Sequence, residues 1–261
     1  MSDRLSKEKV DALLGEDNPF TIQIYDCLAS TNTTAKEAAR NGSMEGLVIL
    51  ADRQIGGYGR YGRSFHSPGG TGLYMSILLR PKAAASTTLF LTIAAAAAVA
   101  EAIEETTGKV CGIKWVNDLF LDGKKVCGIL TEGAITPSSD RLDYAVLGIG
   151  INVTEPKNGF PDELQLIAGS IVKDNTADLR NRLAAAILSR FARYYRNFED
   201  KAFYASYCER LFFLGQSILV LKNGQETVAT AICVDDDFRL HVRYEDGSEE
   251  ALSSAEIAIK V

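Results

Sequence analysis

Histidine is nearly absent from this 261-residue chain, which carries only His66 and His241. Two histidines cannot build a metal cluster of the usual spacing, and they leave very thin material for a Ser-His-Asp arrangement. Cysteine is sparse as well. Cys27, Cys111, Cys127, Cys208 and Cys233 are odd in number and form no C-x-x-C, which argues against a disulfide framework or a zinc site and favours buried free thiols. Long apolar runs are missing too: the longest, Leu89 to Ala100, contains Thr92 and falls short of the ~20 residues that a membrane span needs. The N-terminal MSDRLSKEKVDALLG is charged, has helical spacing at Leu5, Val10, Leu13 and Leu14, and lacks the apolar core of a signal peptide. Net positive charge is absent, the balance being -6, which speaks against a nucleic-acid binder. The expectation is a cytoplasmic protein of one main domain and a small appendage, with no membrane partner.

Glycine, by contrast, is concentrated. The run Gly56 to Gly72, GGYGRYGRSFHSPGGTG, holds seven glycines between two apolar segments, LVILA and GLYMSILL. Glycines let a backbone turn tightly and bring bare N–H groups to a ligand, while Arg60 and Arg63 offer permanently charged forks for phosphate or carboxylate. A literal G-x-G-x-x-G occurs at Gly57, Gly59 and Gly62, so a nicotinamide-dinucleotide-binding oxidoreductase has to be weighed. That fingerprint needs a helix at its third glycine, whereas Ser64 to Gly72 is polar and contains Pro68. No P-loop or kinase signature accompanies the run, and a flexible surface hairpin is the plainer alternative.

Around the loop, Ser30, Thr31 and Asn32 precede a short helix, TTAKEAARNG, for which capping is the ordinary role of Ser30 and Thr31. Strands are expected at 47–51, 73–79, 110–116, 119–121, 125–131 and 144–153, with Asp122-Gly123 as a tight turn, making a mixed central sheet. An alanine-rich helix starts near Ser86 or Thr87 and ends before Gly108. A long amphipathic helix spans Thr176 to Phe198, and another covers Lys201 to Phe213. From about Gly215 five short strands follow, with turns at Asn223-Gly224, Asp235 to Asp237 and Asp246-Gly247, which suggests a small barrel packed on the main domain.

A second chemical cluster is Lys114-Trp115-Val116-Asn117-Asp118, with Lys124 and Lys125 just beyond. A lysine within an apolar strand is costly to bury, so Lys114 either sits at a solvated edge or faces an anionic ligand. Asn117 and Asp118 are equally readable as an Asx-type turn.

Taken together, S-T-N, a strand ending A-D-x-Q, the glycine-arginine loop with S-P-x-G-x-G-L-Y-x-S, K-W-x-N-D, K-x-x-G-I-L-x-E and G-I-G-I-N occur in an order that closely resembles the biotin protein ligases. The resemblance implies an α+β fold: a mixed central sheet with helices, of the class II aminoacyl-tRNA synthetase and biotin ligase kind, plus a small C-terminal SH3-like β-barrel. The corresponding domains are 1–213, for biotin and ATP, and 214–261. It implies ATP-dependent formation of biotinyl-5'-AMP, assisted by magnesium, followed by transfer of biotin to a lysine of a biotin carboxyl carrier protein. Lipoate protein ligase, with related logic, is the sister alternative.

By the same resemblance, Ser30, Thr31 and Gln54 would bond the ureido end of biotin, with backbone from Gly57 and Gly59 and the ring of Trp115 lining the pocket. Arg60 and Arg63 would order the loop over the adenylate phosphate. Lys114 would meet the biotin carboxylate and α-phosphate, Lys125 the phosphates, Asp118 the Mg2+ ion or the attacking lysine, and Asn152 the nucleotide, with Phe65 near adenine. The chain departs from the family pattern at Tyr58, where arginine is usual, at Phe65, where tryptophan is, and at Val116, where proline is common. Some members carry an N-terminal winged helix-turn-helix. Too few residues precede the main domain here for such a module, so sequence-specific DNA binding is not expected. A homodimer through the sheet edge is left open.

Overall fold

The computed structural model describes residues 3–82, 84, 87–136, 141–174, 177–196, 198–222, 224–253 and 256–259. The chain begins with α1 (Lys7–Leu14), β1 (Thr21–Leu28), α2 (Thr31–Arg40), β2 (Leu47–Gln54), β3 (Gly72–Leu79) and α3 (Thr87–Thr107). Next come β4 (Gly112–Lys114), β5 (Asp118–Leu121), β6 (Lys124–Ile135), β7 (Leu142–Asn152), α4 (Leu179–Arg196) and α5 (Tyr204–Cys208). The last strands are β8 (Ser217–Lys222), β9 (Gln225–Val234), β10 (Leu240–Tyr244), β11 (Glu249–Leu252) and β12 (Glu256–Ile259).

The first seven strands form one sheet in the order β1-β2-β3-β7-β6-β5-β4. β1 and β2 run parallel because α2 carries the chain back between them, and every other neighbour is antiparallel, so the sheet is mixed as expected. Its centre is covered on both faces, which explains the unbroken apolar runs of β2 and β3. Along β2, Val48 and Leu50 join the large core with α3 and α4, while Leu47 and Ile49 face Ala35 and Ala39 of α2. The fully buried Ala94 to Ala98 let α3 lie close against the sheet and α4. Arg180, 3% exposed, is compensated by Asp3 and by Asp52 at 2.7 Å, so the aspartate of A-D-x-Q is a structural partner of α4.

The remaining strands form a five-stranded antiparallel, SH3-like sheet in the order β11-β10-β9-β8-β12. Several expectations need correction. β1 went unread, because its alternating TIQIYDCL buries only Ile22 fully and is otherwise polar or half-exposed. The strand expected at 110–116 is ordered only over Gly112–Lys114, and the helix expected at 201–213 only over Tyr204–Cys208. Beyond α5, Leu211 bridges Ile113, whose N–H donates to the Arg210 carbonyl at 2.7 Å. Asp122 and Gly123 both have positive φ, as the tight turn requires. Ser86, Thr176 and Asn223, which entered the expected helix starts and a turn, lie outside the described residues. Among the described residues no helix is long and apolar enough to cross a membrane.

Candidate active site

Three glycines make the floor of the site. Gly148 and Gly150 share one face of β7, and Gly128 of β6 pairs with Gly150. A Cβ on Gly150 would come within 2.7 Å of the Phe65 ring, one on Gly128 within 3.4 Å of it, and one on Gly148 would collide with the Asn32 side chain. The missing side chains let Phe65 and Asn32 lie on the sheet. Above this floor is a cavity of about 830 Å³, bounded by the start of α2, the glycine loop, the Lys114–Asp118 segment, residues 164–168 and β12. That volume suits a small ligand or two joined end to end.

The glycine loop is a closed hairpin. Gly59 N–H donates to the Arg63 carbonyl (2.8 Å), Phe65 N–H to Gly57 (2.9 Å), Arg63 N–H to Arg60 (3.3 Å) and Gly56 N–H to Ala29 (2.9 Å). These four amides are engaged within the chain, and Arg60 and Arg63 line the cavity. Gly57 is buried, and a Cβ there would approach Ser67 Oγ to 2.7 Å and Gln54 Nε2 to 2.9 Å. After Gly62 the backbone is extended at Arg63 and reaches β3 without a helix, so the local geometry required by a dinucleotide fingerprint is missing.

One end of the cavity is a network of mostly neutral groups. Ser30 caps α2, accepting from Thr33 N–H at 3.5 Å, and also faces the cavity. Gln54 Oε1 accepts from the backbone N–H and the hydroxyl of Thr31 (2.8 and 3.1 Å), and Gln54 Nε2 donates to Ser67 (3.0 Å). Ser76 Oγ, fully buried, lies 2.8 Å from Thr31 Oγ1 and 2.6 Å from Asn32 Oδ1. Asn32 in turn donates to Glu132 (2.7 Å), which also accepts from Tyr58 (2.8 Å) and pairs with Lys36 (2.7 Å). Desolvation works to raise the Glu132 pKa, yet the hydrogen bonds from Lys36, Asn32 and Tyr58 prevail and hold it below the usual 4.5. Tyr58 thus ties the loop to α2 and β6. Asn32, Lys36 and Glu132 had no assigned role from sequence, although Glu132 closes the K-x-x-G-I-L-x-E stretch.

The opposite end is cationic. Arg60 donates to Asn117 Oδ1 (3.2 Å) and packs on Tyr61, its guanidinium 5.2 Å from the ring centre. Asn117 is buried and donates to the Ile129 carbonyl (2.9 Å), so the glycine loop and the K-W-x-N-D segment are joined through one amide. Lys114 Nζ lies 5.4 Å from the Phe120 ring centre, and Arg63 lines the mouth. Lys125 Nζ sits 2.7 Å from Asp118 Oδ1, an ion pair in which that buried oxygen lacks a directed hydrogen bond. No group of three His, Cys, Asp or Glu side chains suited to a metal occurs among the described residues. A single carboxylate fits a magnesium ion that arrives with phosphate oxygens rather than one caged by protein.

Trp115, 2% exposed, contributes wall, and its indole N–H donates to the Phe238 carbonyl at 3.0 Å. Asn152 lines the cavity but spends its amide on the Gly169 carbonyl (3.0 Å). That bond anchors a strap unread in the sequence: Ile167 and Gly169 exchange backbone hydrogen bonds with Lys125, leaving Leu166 87% exposed at the rim. Apart from Gly57, every residue singled out for the site borders this one cavity.

Residues 24–152 match the Biotin/lipoate A/B protein ligase family, and residues 213–260 match the Biotin protein ligase C terminal domain. The bifunctional ligase/repressor BirA of Bacillus subtilis is 42% identical over 180 residues, covering 69% of this chain and 55% of that protein. The chain spans about half the length of the curated Bacillus relatives it matches. A biotin–[acetyl-CoA-carboxylase] ligase of Mycobacterium tuberculosis is 29% identical over 82% of this chain and 81% of its own. Among solved structures, a biotin protein ligase from Aquifex aeolicus in complex with biotin and ATP superposes with a TM-score of 0.75 at 25% identity, covering 94% of this chain and 99% of the other.

Proposed function

Because the chain belongs to the biotin protein ligase family, we propose that it joins biotin to a biotin carboxyl carrier protein in two steps at the cavity described above. Residues 1–213 would form the catalytic domain and 214–261 the small C-terminal domain. The biotin carboxylate attacks the α-phosphorus of ATP, forming biotinyl-5'-AMP and expelling pyrophosphate. A carrier lysine amine then attacks the acyl carbonyl, forming an amide and releasing AMP.

The observation that carries this reading is the division of one cavity into a mostly neutral hydrogen-bonded end and a cationic end. The uncharged ureido ring suits the first, where Ser30, Thr31 and Gln54 would bond it. Arg60, Arg63 and Lys114 suit the second, where two anions must meet and negative charge grows on phosphate. Lys125 would contact phosphates, and Asp118 would share in holding the magnesium that enters with ATP, whose charge it screens when bound. Phe65 on its glycine floor would flank a nucleobase, and Asn152 would support that wall through the strap.

Biotin-dependent exchange of labelled pyrophosphate into ATP, with lipoate in parallel, tests the first step without a carrier. Exchange with biotin alone is expected. Exchange with lipoate alone would move the protein to the sister activity, and none with either would remove the ligase reading.

A further inference from the structure

The Lys114–Asp118 segment carries chemistry but leaves the sheet early. β4 is three residues long, lies at the sheet edge and, of the named strands, pairs with β5 alone among the described residues. Its further support comes from late in the chain. Ile113 N–H donates to Arg210, Tyr207 donates to the Val116 carbonyl at 3.2 Å, and Trp115 donates to the Phe238 carbonyl.

Phe238 is itself unusual. It sits in the turn between β9 and β10, has φ 60°, and is fully buried. A non-glycine residue there is strained and persists only where its surroundings over-determine it. Here they do. Its ring stacks on Phe203 (centroids 5.5 Å, 17° apart) and meets Phe90 and Tyr204 edge-on at 4.9 and 5.3 Å. Asp235 clamps the turn from outside, accepting from the N–H groups of Asp237 and Arg239, from the Arg239 side chain and pairing with His241.

We propose that Phe238 is a positioning residue for the reaction: plugged into the main domain, it holds Trp115 through its carbonyl and thereby sets Lys114 and Asp118 at the cavity. The role rests on the ligase reading of the site. It gives the small C-terminal sheet a task beyond furnishing Ile257 and Ala258 to the cavity wall. A displacement of about 1 Å at reacting groups can cost on the order of a hundredfold in rate.

Trp115 is the single tryptophan of the chain, so its fluorescence reports the contact directly. The test measures pyrophosphate-exchange kcat and KM, tryptophan emission and unfolding midpoint for the full chain and for Phe238→Ala. A folded variant with kcat at least about tenfold lower, a red-shifted emission and a small change in biotin KM is the expected result. Wild-type kcat at temperatures below the midpoint, or lost kcat with unmoved emission, overturns the proposal. Should Phe238→Ala fail to fold, Asp235→Ala loosens the same turn from the surface and decides alone, with the same two changes expected in smaller measure. If the wild-type chain does not exchange with biotin, the ligase reading fails by itself, and emission alone then decides whether Phe238 positions Trp115.

Discussion

The two ends of the cavity are built on opposite physical plans. At the Thr31–Gln54 end the polar groups are matched to one another across α2, β2, β3 and β6, down to the buried Ser76 that joins Thr31 and Asn32. At the Lys114–Lys125 end the charged groups meet, among other contacts, an aromatic face, an amide and a carboxylate. A preordered neutral end selects shape and hydrogen-bond pattern, whereas a cationic end stabilises negative charge that substrate brings.

Removing the cationic end should have the largest effect. Lys114→Ala is expected to lower exchange by about a hundredfold or more, since a positive charge facing the growing phosphate charge is lost; steady-state exchange rates check this. Glycine substitutions on β7 separate the ends. Gly150→Ala, which pushes on Phe65, should raise the ATP KM by about tenfold through strain of ~1–3 kcal/mol while sparing biotin. Gly148→Ala, which pushes on Asn32, should do the reverse, and equal effects on both substrates would erase the distinction.

Arg60→Gly removes the link to Asn117 and should speed dissociation of the adenylate by about tenfold, read by trapping released acyl donor. Ser76→Ala leaves Asn32 Oδ1 without its buried donor and should destabilise the fold by about 1–3 kcal/mol in denaturant titration.

The smallest expected effect is on pH. Glu132 has a depressed folded pKa, so its contribution is complete above the ordinary value of 4.5 and is lost as pH falls through the folded value. Glu132→Gln should flatten that acid limb of the stability curve, and an unchanged slope would remove Glu132 from the network.

Legibility in the sequence followed distance along the chain. Asp122-Gly123, the Ser30 cap and the Arg60 and Arg63 pair are local patterns, and each stands where its spacing implied. The Lys36–Tyr58–Glu132 contacts join residues 22, 74 and 96 positions apart, and no local period marks such partners. At Gly57 a glycine needed for close approach reads the same in sequence as one that bares its amide to a ligand. Phe238 gave no signal at all, since its left-handed backbone is imposed by the aromatic cluster around it rather than by its neighbours in sequence.

Native mass spectrometry of the wild-type chain incubated with biotin and magnesium ATP tests the two-ended cavity most directly. One retained biotinyl-adenylate per chain, lost in Lys114→Ala while biotin alone still binds, is the expected result. Biotin and ATP bound but unjoined in the wild-type chain, or no retention of either, would contradict it.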